Sequence, residues 1–523
     1  MNKNLFDQRF FAHSPLLLSW SALLLIIVYA TWNTGLVSDD FALLNRGLSI
    51  SIWDDLIPSV FVTTPFLHYA LSIFYHAIGD AFWGYSVLKA FYLCFASYAV
   101  FLFFSKFTSE NRAFLGMLVF VFSPIHDGVT LWLVGHYLMM SLACYLFAFV
   151  LASDGRYKTA IFFALAASFT CYGSAPVALF LGCIFLWRRE FLNACVILIP
   201  NMIYTLYYIG TSVFLKVGTE RIPTAWDWLQ FSKSYVMQLL SYVDAAIGPS
   251  AILKTILAIS SLEVVSIVIV CGFAILIWPG KRSEGDDVRP SASILFFALC
   301  MLLGAFALFA STGRYPQISF NLGDRVTIFG SFFLALLAMR WMSKRLLACT
   351  AMIICAAFVG LGDHWSSWNE TTLTTISNIR NNEQLNSLEH EDRVFVKGLQ
   401  YSQLGPMAHI DHFSSGYVIQ DVFIYAMQSD NPPETVSLNR SMDFVDGELI
   451  DRKFGARYPI SGYINVYDAA SDHFERIDAV RIRVLLDSLP VENRHWVQLL
   501  GPGIIRDTVV WLMPGISYAF TSS

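Results

Sequence analysis

From the N-terminus onward the chain is a succession of long apolar stretches separated by short polar connections, and the pattern changes only after Gly362. A helix that crosses a hydrocarbon core of ~30 Å needs about 20 largely apolar residues. Eleven candidate stretches emerge, at roughly 16–36, 83–105, 112–125, 130–152, 158–173, 175–187, 191–215, 251–278, 291–311, 323–340 and 346–362, several of them short. Acidic residues follow the first stretch where a cleaved leader would carry small residues, so it is expected to remain as a first helix.

The positions of Lys and Arg orient these spans, because basic connections stay on the cytoplasmic side. An inside N-terminus with Lys3 and Arg9 makes every second connection basic: Lys106/Arg112, Arg156/Lys158, Arg188/Arg189, Lys281/Arg282/Arg289 and Arg340/Lys344/Arg345. An odd number of spans then puts the C-terminus outside. The exoplasmic parts are a first loop at 37–82, a second at 216–250 and a terminal region at 363–523. Two stretches, 64–79 and 225–240, are amphipathic and too short or polar to cross, which predicts helices lying at the membrane surface.

The fold class expected is an α-helical polytopic membrane protein of about eleven transmembrane helices, residues 1–362, followed by an exoplasmic α/β domain, residues 363–523. Within the latter, Arg393–Lys397, Tyr417–Ala426 and Arg481–Leu486 alternate in the manner of strands and are bounded by Gly, Pro and Asn/Asp turns. Composition agrees: 56% of the 523 residues are hydrophobic and only 14% charged, with a mean hydropathy of +0.55. A net charge of −5 without a basic run argues against a nucleic-acid partner. The nine cysteines all lie in the apolar part without paired metal-ligand spacing, which leaves no disulfide scaffold or zinc finger.

The candidate chemistry gathers at the outer face. Asp39 and Asp40 follow the first span directly, and adjacent carboxylates at a lipid–water boundary resist joint ionisation, which suits a general base. Alone, the pair could equally mark a solvated helix end, and Asp54/Asp55 is better explained as a capping or solvated pair. Arg314 after the ninth span and Arg325 opening the tenth are placed to clamp a phosphate at headgroup depth, with snorkelling as the plain alternative. Lys216, Arg221 and Lys233 in the second loop fit interface anchoring. His68, His126, Asp127 and His136 are the remaining ionisable groups near that face, without recognised metal spacing, so a divalent metal ion is a minor expectation. The absence of a Gly-rich phosphate loop means that the energy for a reaction arrives with the substrate.

An inside-start helix, the Asp39-Asp40 pair, Pro65-Phe-Leu followed by Phe74–Gly79, then Phe120-Val-Phe-Ser-Pro124, Val129-Thr-Leu-Trp132 and Gly135-His136 resemble the GT-C superfamily of membrane glycosyltransferases. The chain is similar in particular to bacterial relatives of the dolichyl-phosphate-mannose protein mannosyltransferases and of the aminoarabinose lipid A transferases. The resemblance covers roughly the first 155 residues, with support from Gly323-Asp324-Arg325, and departs from relatives at His136, where Arg is frequent. It implies a polyprenyl-phosphate-linked sugar donor and a glycan, lipid or protein acceptor at the outer face of a bacterial cytoplasmic membrane. It maps the base onto Asp39 or Asp40 and the hold on the polyprenyl phosphate onto Arg325. The reading that joins these residues is one displacement, hence inverting, with Arg314 beside Arg325 at the donor phosphate and Asp54, Asp55, His68, His136 and Lys216 as acceptor-side or auxiliary groups. Two rivals predict different features: a lipid-linked-sugar flippase or transporter calls for broken helices and mid-bilayer charges, and a polysaccharide polymerase or ligase for a large loop between late spans. A non-catalytic scaffold would tolerate loss of both aspartates.

Overall fold

The computed structural model describes residues 14–59, 63–214, 227–278, 288–312, 317–429, 431–440, 442–451 and 455–512. Among these, seven helices are long and apolar enough to cross a membrane: Phe82–Ser105, His136–Ser153, Phe191–Phe214, Trp228–Ser260, Ala292–Thr312, Leu322–Trp341 and Lys344–Asn381. Glu110–Val121 and Pro124–Thr130, bent by 47° at a short break, make an eighth if they cross as one unit. Leu18–Thr31, Ser174–Trp187 and Val264–Ile277 are apolar but shorter. A helix of 14 residues, such as Ser174–Trp187, rises only ~21 Å and falls short of a ~30 Å core unless the bundle shields its polar flanks.

Three of the expected helix bounds change. The stretch 251–278 is not one helix, because it breaks at Ser261–Glu263. Asp363, from a different helix, accepts from the Glu263 amide at 3.0 Å and the Ser266 hydroxyl at 2.5 Å, so the second half begins on its own supply of acceptors. The helix expected at 225–240 is longer, Trp228–Ile247, and after a break at Gly248 continues as Pro249–Ser260, the two together being long and apolar enough to cross. Its polar residues face protein: Gln317 donates to Gln238 at 2.8 Å and to Ser241 Oγ at 3.2 Å, and Tyr242 donates to the Gly330 carbonyl at 3.1 Å. The last span does not end at 362, since Lys344–Asn381 runs on as a single helix of 38 residues. Its polar continuation stays helical because Asn369, Thr372 and Thr375 are buried against neighbours and Arg380 Nε donates to the Ala426 carbonyl at 3.0 Å.

The basic connections meet at one end of the bundle. Lys106 pairs with Asp154 at 2.7 Å, the Ser109 amide donates to Val288 O at 3.4 Å, and Arg289 donates to Arg340 O at 3.3 Å. Arg112, expected as a loop charge, is fully buried and donates to the carbonyls of Met339 and Met342, capping the C-terminal end of Leu322–Trp341 where orphan carbonyls attract a cation.

At the opposite end sits a small-sheet region. β1 (Arg393–Lys397) lies between β4 (Glu434–Ser437) and β8 (Tyr463–Asp468), parallel to both, and β9 (His473–Asp478) pairs antiparallel with β8. β2 (Tyr401–Leu404) and β3 (Met407–Asp411) form a hairpin, and β5 (Met442–Val445), β6 (Glu448–Asp451) and β7 (Arg457–Pro459) a separate antiparallel sheet. β1 is strand as expected, and it is covered on both faces, so its centre is apolar throughout. The other two alternating segments are helical: Gly416–Met427 covers one face of β1 through Ile419, Val422 and Phe423, and Ile482–Ser488 packs with Phe395 on the other. Phe41, Leu44, Leu71 and Tyr75 of the first loop, with Leu36 just before it, join the core under Gly416–Met427, so this domain and the first loop share one apolar interior.

Candidate functional site

The connection after the first helix is fixed from below. Lys89, fully buried in Phe82–Ser105, donates to Thr34 Oγ1 at 3.0 Å and to Gly35 O at 2.6 Å. Gly35 has φ +63°, and a Cβ there would overlap the Asn369 side chain. Gly35→Ala is therefore expected to cost at least ~1 kcal/mol from left-handed strain alone, read as a lower unfolding midpoint in detergent. Asn369→Ala on the same chain should relieve the steric part and leave the strain.

Ser38, at φ 52°, then turns the chain so that the two aspartates part company. Asp40 is fully buried and accepts from the Val37 amide at 3.0 Å, the Tyr75 hydroxyl at 3.0 Å and the Val134 amide at 3.2 Å. Three of the roughly four acceptor directions of a carboxylate are thus taken. Burial pushes Asp40 up to about 6, against the pull of Lys89 and of these donors. Asp39 is only half-buried and receives the Tyr417 hydroxyl at 3.3 Å.

Tyr417 and Asp421 lie one helical turn apart on Gly416–Met427, which packs on the helix Asp40–Ser49. Asn45 Nδ2 donates to the Asp421 carbonyl at 2.7 Å and holds the two helices in register. Burial, with the Asp39 and Asp411 carboxylates, keeps the Tyr417 hydroxyl well above its usual range, while Arg325 pulls the other way, so the phenol remains a donor. Arg325 lies over the Trp132 ring, 5.2 Å from its centroid, and the Trp132 indole donates to Val37 O at 3.2 Å. Asp39 thus meets Tyr417 and acts on Asp421 of the terminal domain, and Arg325 acts on Tyr417.

Burial, then the Asp39 carboxylate, pushes Asp421 up to about 6. An acid raised on folding keeps a proton that the unfolded chain releases near pH ~4, so its contribution is favourable at low pH and lost as pH climbs through about 6. Thermal unfolding midpoints are expected to fall across that window in the native protein, where Asp40 adds to the same slope, and to fall less steeply in Asp421→Asn.

The other expected residues do not join this group. Asp54 is exposed and accepts from Ser51 Oγ at 2.7 Å, a local capping contact. Asp55 is buried, accepts from Ser72 Oγ at 2.5 Å and pairs with Arg46, a structural tie between first-loop helices. His68 is half-buried near them, where burial and then Arg46 lower its pKa against Asp55. His136 is buried with its ring 5.4 Å from that of Tyr92, and neither ring nitrogen has a hydrogen-bond partner. Arg314, Lys216 and Arg221 lie outside the described residues. Among the described residues no three His, Cys, Asp or Glu side chains converge as a metal centre requires.

A second cluster joins the two parts of the molecule. Lys254, fully buried, donates to Asp127 at 2.6 Å, to Asp324 at 2.8 Å and to Ser319 O. Trp365 Nε1 and His409 Nε2 each bond the other Asp127 oxygen at 2.8 Å, and the Gly128 amide donates to Asp324 at 3.1 Å. His409 Nδ1 accepts from the Asn321 amide at 3.3 Å, which leaves the proton on Nε2, facing Asp127. Burial lowers the His409 pKa, in keeping with a neutral ring. Sequence reasoning singled out Asp127 and Asp324 but missed Lys254, a charge inside an apolar stretch and hence a signal in its own right. His409, Tyr417 and Asp421 gave no such signal, because only the fold brings their strand and helix back to the bundle.

No protein-family model, no curated protein and no solved structure matches this chain.

Proposed function

We propose that the chain is a membrane glycosyltransferase that moves a sugar from a polyprenyl-phosphate donor to a hydroxyl of a cell-envelope glycan, lipid or protein. In this reading the eleven-span GT-C arrangement counts Tyr157–Thr170 with the short apolar helices and takes Pro249–Ser260 with Val264–Ile277 as one broken crossing, the basic end of the bundle faces the cytoplasm, and the terminal domain lies outside a bacterial cytoplasmic membrane. Asp39 takes the acceptor proton as the acceptor oxygen bonds to the anomeric carbon and the carbon–oxygen bond to phosphate breaks. Arg325 neutralises the charge that the departing lipid phosphate gains, an effect strengthened where water is excluded. A single displacement inverts the anomeric centre.

The observation that carries the reading is the division of labour between neighbours. Asp40 is buried with three donors inside the protein, whereas Asp39 is half-exposed and oriented by the Tyr417 hydroxyl, on which Arg325 also acts. Tyr417 and Asp421 extend the site into the terminal domain, where the acceptor would be held. Membrane vesicles containing the chain, supplied with radiolabelled polyprenyl-phosphate hexose, test the reading. Label passing into an envelope fraction above that in vesicles without the chain supports it, and equal labelling across a panel of hexose and pentose donors counts against it.

A further inference from the structure

We infer that the helix Ile504–Leu512 is a membrane-surface anchor, lying in the lipid headgroup layer of the same bilayer that the chain crosses. Ile504, Ile505 and Trp511 are 85%, 70% and 77% exposed, so a nine-residue helix presents a large part of its apolar side chain area to its surroundings. Ile504 and Trp511 are seven residues apart, two helical turns, and form one face. At nine residues the helix rises only ~14 Å and cannot cross a ~30 Å core. An apolar face ending in Trp suits the interface, where indole sits at headgroup depth.

The position of the helix selects lipid as the occupant. The preceding turn is tied to a membrane helix: His495 Nε2 bonds Asp244 at 2.8 Å and Trp496 Nε1 donates to the same carboxylate at 2.9 Å. Asp244 lies in the last turn of Trp228–Ile247, just before the break at Gly248, and its neighbours Val243 and Ile247 are themselves 44% and 60% exposed. The apolar surface of that helix therefore continues next to the attachment point. From the tied Trp496 the chain reaches Ile504 in eight residue steps, a span of at most ~29 Å. The exposed face is held within that radius of a helix whose own flank faces lipid.

Photocrosslinking on the full-length chain in its membrane tests the assignment. A benzophenone amino acid is placed at Ile505 or at Trp511, with Asp446, an exposed polar turn residue, as the control, and the irradiated protein is purified and digested for mass spectrometry. Phospholipid-mass adducts at positions 505 and 511, at several times the yield at 446, are the expected result. Adducts to another segment of this chain, to a second copy or to a different protein overturn the proposal, as does a lipid yield no higher than at the control. Because these positions are exposed, the probes replace no buried contact, and the readout is independent of any transferase activity.

Discussion

Lys254→Met is expected to lower stability by ~3–5 kcal/mol, because it leaves two buried carboxylates without the cation that lies between them. Asp127 and Asp324 both bond the Lys254 ammonium, and neither side chain is accessible to water. Removing one partner of a buried pair costs more than removing both, which gives the prediction an internal control. Lys254→Met combined with Asp324→Asn should recover part of the loss. The combination with Asp127→Asn should recover less, since Asp127 also serves the Trp365 and His409 donors, and an amide nitrogen there would face a donor. His409 belongs to the terminal domain, so the single variant should also expose that domain to protease earlier than the native protein. Unfolding midpoints in detergent and limited proteolysis read both effects.

Asp39→Asn is expected to reduce glycosyl transfer by ~10²–10⁴-fold, the usual contribution of a positioned general base, while leaving folding intact. Asp39 is half-buried, and the contact described for it with Tyr417 is a long one at 3.3 Å. Asp40→Asn should behave in the opposite way. Its carboxylate meets two backbone amides and a phenol, so turning one oxygen into an amide nitrogen sets donor against donor inside the protein and lowers the yield of folded chain. Transfer per folded molecule separates the two cases. The two substitutions change the same residue type one position apart, and the burial difference alone predicts which loses chemistry and which loses structure.

The membrane character, the basic connections at one end and the acids near the other were legible in the chain, because hydropathy and charge act locally along a helix. What was not legible is what polar residues do once helices pack. Gln238 and Ser241 read as the solvated face of a helix but bond Gln317, and Asn369, Thr372 and Thr375 suggest a domain boundary where a helix simply continues. Tyr417–Ala426 alternates like a strand over a few residues, yet Ile419, Val422, Phe423 and Ala426 also fall at the three- and four-residue spacing of a helix, and packing on β1 uses the latter. Asp39 and Arg325 were identifiable as ionisable groups flanking spans. Their company was not, because Tyr417 and Asp421 lie almost four hundred residues further along the chain than Asp39. Long-range contacts of this kind leave no periodic trace in a single sequence.

The most direct test of the central claim compares envelope glycans by mass spectrometry of lipopolysaccharide and surface proteins. The comparison is between cells expressing the native chain and cells expressing Asp39→Asn at equal membrane abundance. Loss of one hexose- or pentose-sized increment in the variant is the predicted result, and it identifies both the sugar class and the acceptor. An unchanged glycan profile, with Asp39→Asn still rescuing whatever defect the native chain rescues, would contradict the assignment of Asp39 as the base.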